Sequence, residues 1–209
     1  MNIGRQKKYL HHNMLTSVLK EAEDPFEALV QPENELETMI IQHPEWRKGA
    51  AWGEPRSGHP EGKVLYHIHE VLANVEKATS DQKTRRELRL ITILHDAFKI
   101  HEEQHRPRTD WSKHHAVFAR KFAEQFDIEE QTLDVIELHD EAYYAWRAAW
   151  FGDHVQATKI LTRLETVLKN DLQLYYLFFK CDTRTGDKFQ RPVLWFEELM
   201  KDRISLVDF

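Results

Sequence analysis

RRELRLITILHDAFKI, residues 85–100, decides how the rest of the chain is read. Leu88, Leu90, Ile91, Ile93, Leu94, Ala97 and Phe98 leave it apolar almost all round, as expected of a central helix buried on every side. Near its C-terminal end stands the pair His95-Asp96. An ionised carboxylate in such surroundings costs several kcal/mol unless it is paired or bound to a metal. Taken alone, the pair is equally an ion pair, a satisfied core histidine or part of a metal site.

The flanking segments are helical too. In VLYHIHEVLANVEKA, residues 64–78, Val64, His67, Val71 and Val75 share one face at spacings of three and four. The polar HEEQHRPRTDW, residues 101–111, reads as a loop, after which Asp110 or Ser112 would cap a helix. That helix places His115, Ala119, Phe122 and Phe126 on one face. A further helix is expected within 129–150, with Val135, Ile136 and His139 on one side, and another over 154–169. DLQLYYLFFKCD, residues 171–182, is a buried helix ending in Asp182, and VLWFEELMKD, residues 193–202, a final amphipathic one. Two short helices, 9–30 and 34–43, stand before these, divided at Gln31-Pro32. The fold class expected is therefore all-α: a helical bundle with short N-terminal helices and a C-terminal helix. Residues 1–44 read as an extension packed on a core unit of 45–209. HPEWRKGAAWGEPRSGHPEG, residues 43–62, holds four of the chain's seven glycines together with three prolines, and reads as one long loop or lid on the substrate side.

Composition narrows the function classes. A chain of 209 residues, 41% hydrophobic and 31% charged, can bury the core of one domain. Its net charge of −6 argues against a nucleic-acid backbone as main partner. The single cysteine, Cys181, makes no internal disulfide, so a reducing, cytoplasmic setting is expected. No apolar run approaches the roughly 18 residues of a membrane span, and MNIGRQKKYLHHNML lacks the apolar core of a secretory signal. No membrane partner is expected, and both monomer and dimer stay open.

Thirteen histidines are unusual for this length. His67, His115 and His139 each lie on the apolar face of their own helix, and Asp182 ends another. Any one of them is more simply a core residue bonded to a backbone carbonyl. Their recurrence on separate helices is harder to assign to chance, and imidazole with carboxylate suits Fe, Mn, Zn, Co or Ni. Helix bundles build such sites by pointing ligands inward from facing helices. The order His, His-Asp, His, His, Asp resembles the HD superfamily over residues 59–190. Its carriers are HIHEV (67–71), ILHDAFK (93–99, an HDxxK element), HHAVFARKFAEQF (114–126), IELHDEA (136–142) and KCDTRTGD (180–187).

The resemblance implies an HD domain over 45–209 and two divalent ions. His67, His95, Asp96 and Asp182 would hold one, and Asp96 would bridge to a second held by His115 and His139. Iron is the first choice, with Mn, Co, Ni or Zn as other occupants. Such a pair acidifies a shared water and neutralises phosphoryl oxygens under attack. The resemblance thus implies a phosphohydrolase acting on a nucleotide or another small phosphorylated metabolite, with Asp96 and Lys99 in catalytic roles. Lys99 would also bind substrate, with Arg56, His59, Glu61, Arg184 and His114 as further candidates on the substrate side. Two other readings stand beside it. One is a di-iron oxygenase acting on a polyol or phosphonate-like substrate. The other is a non-enzymatic module with structural metals.

Overall fold

A computed structural model describes residues 24–105, 110–169 and 171–209. The part of the expected first helix before residue 24 lies outside the described residues, as do His11, His12 and residues 106–109 of the polar loop. The architecture is an all-α helical bundle, and no strand occurs among the described residues. In chain order the helices are α1 (Pro25–Val30), α2 (Glu35–Gln42), α3 (Pro44–Ala50), α4 (Val64–Ala78), α5 (Gln82–Leu94), α6 (Lys99–Glu103), α7 (His115–Ala123), α8 (Glu130–Leu138), α9 (Glu141–Trp150), α10 (His154–Leu168), α11 (Leu172–Thr183) and α12 (Arg191–Met200). A 3-10 turn, Trp111–Lys113, precedes α7.

The apolar pattern at 85–100 does form the centre. Leu88, Ile91, Ile93, Leu94, Ala97 and Phe98 are buried, together with Tyr175, Phe178 and Cys181 of α11 and Val71 and Val75 of α4. The segment is not one helix, however. α5 stops at Leu94, His95 to Phe98 form a tight turn, and α6 restarts at Lys99. The cause is local: the His95 ring donates from Nδ1 to the Thr92 carbonyl at 2.9 Å, taking an acceptor that a continuing helix would use. The expected helix within 129–150 is likewise two, α8 and α9, divided at His139-Asp140. There His139 Nδ1 donates to the Ile136 carbonyl at 2.8 Å. The buried Tyr175 hydroxyl fills the break, accepting from the Ala142 N–H at 2.9 Å and donating to the His139 carbonyl at 3.2 Å.

The stretch 43–62 also departs from expectation, since its first third is α3. Pro44 occupies the first helical turn, where proline loses no hydrogen bond, and His43 Nδ1 caps the Glu45 N–H. α3 braces the end of α5: Trp46 is fully buried and donates from Nε1 to the Ile93 carbonyl at 2.8 Å. Only residues 51–63 remain loop, pinned by a bridge between Arg56 and His59 and by Gly58 N–H donating to Asp187 at 2.8 Å. The anticipated caps for α7 are corrected as well. Asp110 caps the 3-10 turn through Ser112 N–H, and His114 caps α7 through Ala116 N–H.

The N-terminal layer joins the same core through Leu29, Val30, Ile40 and Ile41. Arg89 of α5 clamps it, with a two-point pair to the buried Glu37 at 3.0 and 2.8 Å and a further bond to the Gln31 carbonyl at 3.1 Å. No helix among the described residues is long and apolar enough to cross a membrane.

Gly49 sits where α3 crosses the turn after Asp96. A Cβ there would lie 1.5 Å from the Ala97 carbonyl oxygen, so only glycine permits this approach. Gly49→Ala is expected to cost about 2 kcal/mol or more in chemical denaturation, because backbone rather than a flexible side chain must move. An unchanged denaturation midpoint would contradict the close crossing.

Candidate metal centre

Four imidazoles and a carboxylate meet inside the bundle. His67 on α4, His95 and Asp96 after α5, His115 at the start of α7 and His139 after α8 are all exposed by 4% or less. Asp182 near the end of α11 closes the group from the more open side. The six residues that the resemblance picks out are therefore brought together.

Asp96 holds the centre by splitting its two oxygens. Oδ2 lies 3.6 Å from His67 Nε2 and 3.5 Å from His95 Nε2. Oδ1 lies 3.3 Å from His115 Nε2 and 3.6 Å from His139 Nε2. Asp182 Oδ1 stands 2.8 Å from His67 Nε2 and 3.8 Å from His95 Nε2. Two ligand atoms about 2.1 Å from a common cation lie roughly 3.0–3.6 Å apart, and the four Asp96 gaps fall in that range. Two triads, His67-His95-Asp96 and Asp96-His115-His139, have the compactness a metal requires.

The outward nitrogens fix the inward ones. Nδ1 of His95 and His139 donate to backbone carbonyls, and His115 Nδ1 donates to Glu102 Oε2 at 2.6 Å. His67 Nδ1 faces Glu61 Oε1 at 3.4 Å. For His95, His115 and His139 this leaves Nε2 facing the cluster, as metal-binding histidines require, while His67 Nε2 donates to Asp182 Oδ1 at 2.8 Å. His115 Nε2 and His139 Nε2 then face each other at 3.1 Å, a repulsive contact unless a cation or proton lies between them. His95 Nε2 and Asp96 Oδ1 are buried with no hydrogen-bond partner, which a protein rarely leaves without cause. Donor set, spacing and orphaned atoms all fit divalent metal.

Protons are the competing cations. Burial pulls the His139 ring down, but the Asp140 and Asp96 carboxylates override it and raise it to about 9. Burial and Lys188 oppose a charge on His67, yet Asp182 and Glu61 raise it. His95 is lowered by burial. Burial resists ionisation of Asp96, but the charges of His95 and Lys99 hold its carboxyl well below the ordinary range. Asp182 follows the same course, with Lys188 and His67 outweighing burial. The carboxylates thus stay anionic, as ligands must.

The candidates around these six divide. Lys99 Nζ donates to Asp96 Oδ2 at 2.5 Å, although it begins a new helix rather than continuing α5. His59 is part of the rim, its ring 5.3 Å from that of His67 and its Nδ1 2.9 Å from Glu61 Oε1. Glu61 is not on the substrate side: its side chain is 4% exposed and sits behind His67. Hydrogen bonds from His59 and His67 overcome its burial and keep its carboxyl ionised. His114 is also corrected, being fully buried between Trp111 and His115 with ring separations of 4.3 and 4.2 Å. Its Nδ1 accepts from Ala116 N–H, so Nε2 donates to the Tyr144 hydroxyl at 3.0 Å. Arg56 is exposed, its guanidinium 6.0 Å from the Trp52 ring. Arg184 turns to the C-terminus, where it bonds the Phe209 carbonyl and lies over the Phe209 ring. Neither arginine is brought to the cluster. The Cys181 thiol is buried and pushed up by burial, consistent with a packing role.

Three neighbours of the cluster are absent from the sequence reading. Lys188 Nζ donates to Asp182 Oδ1 at 2.7 Å from beyond the 183–187 turn. Glu102 accepts both the ring and the backbone N–H of His115. Asp140 Oδ2 lies 3.5 Å from His115 Nε2 and 3.7 Å from His139 Nε2. Only Asp140 left a signal, since His139-Asp140 repeats the His95-Asp96 pair. No known family model matches the chain, and neither does any curated protein or solved structure.

Protein purified without added metal is expected to carry about two equivalents of divalent ion by elemental analysis, with a thermal midpoint that falls on chelation. Asp96→Asn should lose most of both, and His139→Ala about one. A His139→Ala variant with full metal content would refute the second triad.

Proposed function

We propose that the chain is a two-metal phosphohydrolase of the HD type, cleaving the phosphate ester or anhydride of a small metabolite. One observation carries this reading: a single buried carboxylate, Asp96, offers one oxygen to each of two histidine pairs. Two-metal hydrolytic centres need such a bridge, because paired ions must be held close enough to act on one substrate. When bound, the ions would supply an activated water and neutralise charge on the phosphoryl oxygens.

The remaining work belongs to the chain itself. Glu61 and Glu102 hold the His67 and His115 rings, so the inward nitrogens do not wander. Lys99 and Lys188 are half-buried on opposite carboxylates, at Asp96 and at Asp182. Asp96 raises Lys99 despite its burial, keeping it cationic. These two ammonium groups would meet an incoming phosphate beside the cluster, which offsets a net charge of −6 that otherwise repels anions. Asp140, 28% exposed, adds a third carboxylate oxygen 3.5 Å from His115 Nε2.

Metal-loaded protein is expected to release inorganic phosphate from a panel of phosphomonoesters without consuming oxygen. Lys99→Met and Lys188→Met should each raise KM about tenfold or more, the worth of one charge-assisted contact, and change kcat less. Lys188→Met should retain its metal, because it removes a competitor for Asp182. Oxygen uptake without phosphate release would overturn the proposal in favour of an oxygenase.

A further inference from the structure

Asp140 stands at the N-cap of α9, where an aspartate ordinarily accepts an N–H of the first helical turn. Asp24, Asp81 and Asp153 do so for α1, α5 and α10. The Asp140 side chain makes no such bond, and α9 forgoes the stability of its cap. No lysine or arginine pairs with this carboxylate among the described residues, and the nearby Lys99 is taken by Asp96. What it faces is imidazole. Oδ2 lies 3.5 Å from His114 Nε2, 3.5 Å from His115 Nε2 and 3.7 Å from His139 Nε2, all beyond ordinary hydrogen-bond distance. His114 Nε2 is engaged at 3.0 Å by the Tyr144 hydroxyl. The other two rings already donate from Nδ1, to Glu102 and to the Ile136 carbonyl. In their neutral forms they turn lone pairs toward the Asp140 oxygen, and nothing is donated between the three atoms.

The other half of the cluster shows how such a convergence is used. His67, His95 and Asp96 Oδ2 are closed by Asp182, whose Oδ1 stands 2.8 and 3.8 Å from the two ring nitrogens. His115, His139 and Asp96 Oδ1 are closed in the same way by Asp140. Neither aspartate belongs to a compact triad, and each flanks its own from a more exposed position, 16% for the Asp182 side chain and 28% for that of Asp140. His139-Asp140 also repeats His95-Asp96 in structure as well as in sequence. At both pairs the ring bonds the carbonyl three residues back and the helix ends. The second break thus delivers a ring and a carboxylate to the cluster together, as the first does.

We propose that Asp140 is a terminal carboxylate ligand of the second metal ion. The scheme that the resemblance implies gives that ion His115, His139 and Asp96 alone. With Asp140 added, both ions have one donor set: two imidazoles, one carboxylate of their own and one oxygen of Asp96. Like donor sets hold a given ion with like affinity, so the two sites fill together rather than one tightly and one weakly. This assignment rests on the metal-centre reading and is independent of the reaction that the centre performs.

The test reads the ions directly. Metal-free protein is titrated with 113Cd(II) and followed by NMR, in which each bound ion gives its own resonance. The unsubstituted protein should show two resonances that grow in together. Asp140→Asn should move one of them and weaken that site about tenfold or more, since even a partner behind a metal ligand is worth about 10- to 100-fold in affinity. Asp182→Asn should move the other. The thermal midpoint gives a second readout: Asp140→Asn should lower it in the loaded protein and leave it unchanged or higher without metal. Two resonances indifferent to Asp140→Asn would overturn the assignment and leave the metal centre standing. So would an equal fall in midpoint with and without metal, which makes Asp140 an ion-pair partner of a protonated imidazole. An unsubstituted protein that binds no cadmium would sink the metal centre and this ligand with it.

Discussion

The rest of the structure is arranged around one unfavourable act, the burial of the Asp96 carboxylate among four imidazoles. Asp96 is 3% exposed, and its Oδ1 has no hydrogen-bond partner. An uncompensated charge in such a place would cost several kcal/mol, a large fraction of what keeps a domain of this size folded. Lys99 compensates Oδ2, but Oδ1 is left without a hydrogen bond, because the facing nitrogens of His115 and His139 stand at 3.3 Å or more. Divalent cations resolve that conflict in a way protons only partly do. Packing and electrostatics thus build a cluster that could hold metal before any function is considered.

Much of this was legible in the linear chain. The helical spacing that puts His67 beside Val64, Val71 and Val75 also puts it in the core, and the same holds for His115 with Ala119 and Phe122. What was not legible depends on contacts that spacing does not encode. Glu102 lies in a polar stretch that looked like loop, and only the folded chain brings it under His115. Lys188 sits past a turn whose path the sequence does not specify. Arg56 and Arg184 were candidates for the substrate side, but Arg56 lies exposed near the Trp52 ring and Arg184 is held by the Phe209 carbonyl and ring. The misread segment 43–62 has the same cause: glycine and proline mark breaks, and a seven-residue helix between breaks carries too little periodicity to be seen.

The helix breaks were missed for a more instructive reason. Continuous apolar periodicity through 85–100 and 129–150 predicts continuous helices, and it fails at the two His-Asp pairs. At both, the histidine ring bonds the carbonyl three residues back. Each break lets one ring face inward while the following aspartate swings to the same side. The helical pattern therefore survives in composition and is overruled where the site needs it to be.

Those breaks also orient the field. α5 ends at His95, α8 ends at His139 and α11 ends just after Asp182, so three helix C-termini reach the cluster with their partial negative charge. Three N-termini, those of α6 at Lys99, α7 at His115 and α9 at Glu141, bring the opposite partial charge. The first N–H of α7 is taken by the Glu102 carboxylate at 3.0 Å. The sign around the centre is therefore set by the carboxylates of Asp96, Asp182 and Asp140 rather than by the backbone. A site so built favours cations, and it needs Lys99 and Lys188 at its edge before it can admit an anion. The cationic rim of Lys99 and Lys188 follows from the same buried negative charge.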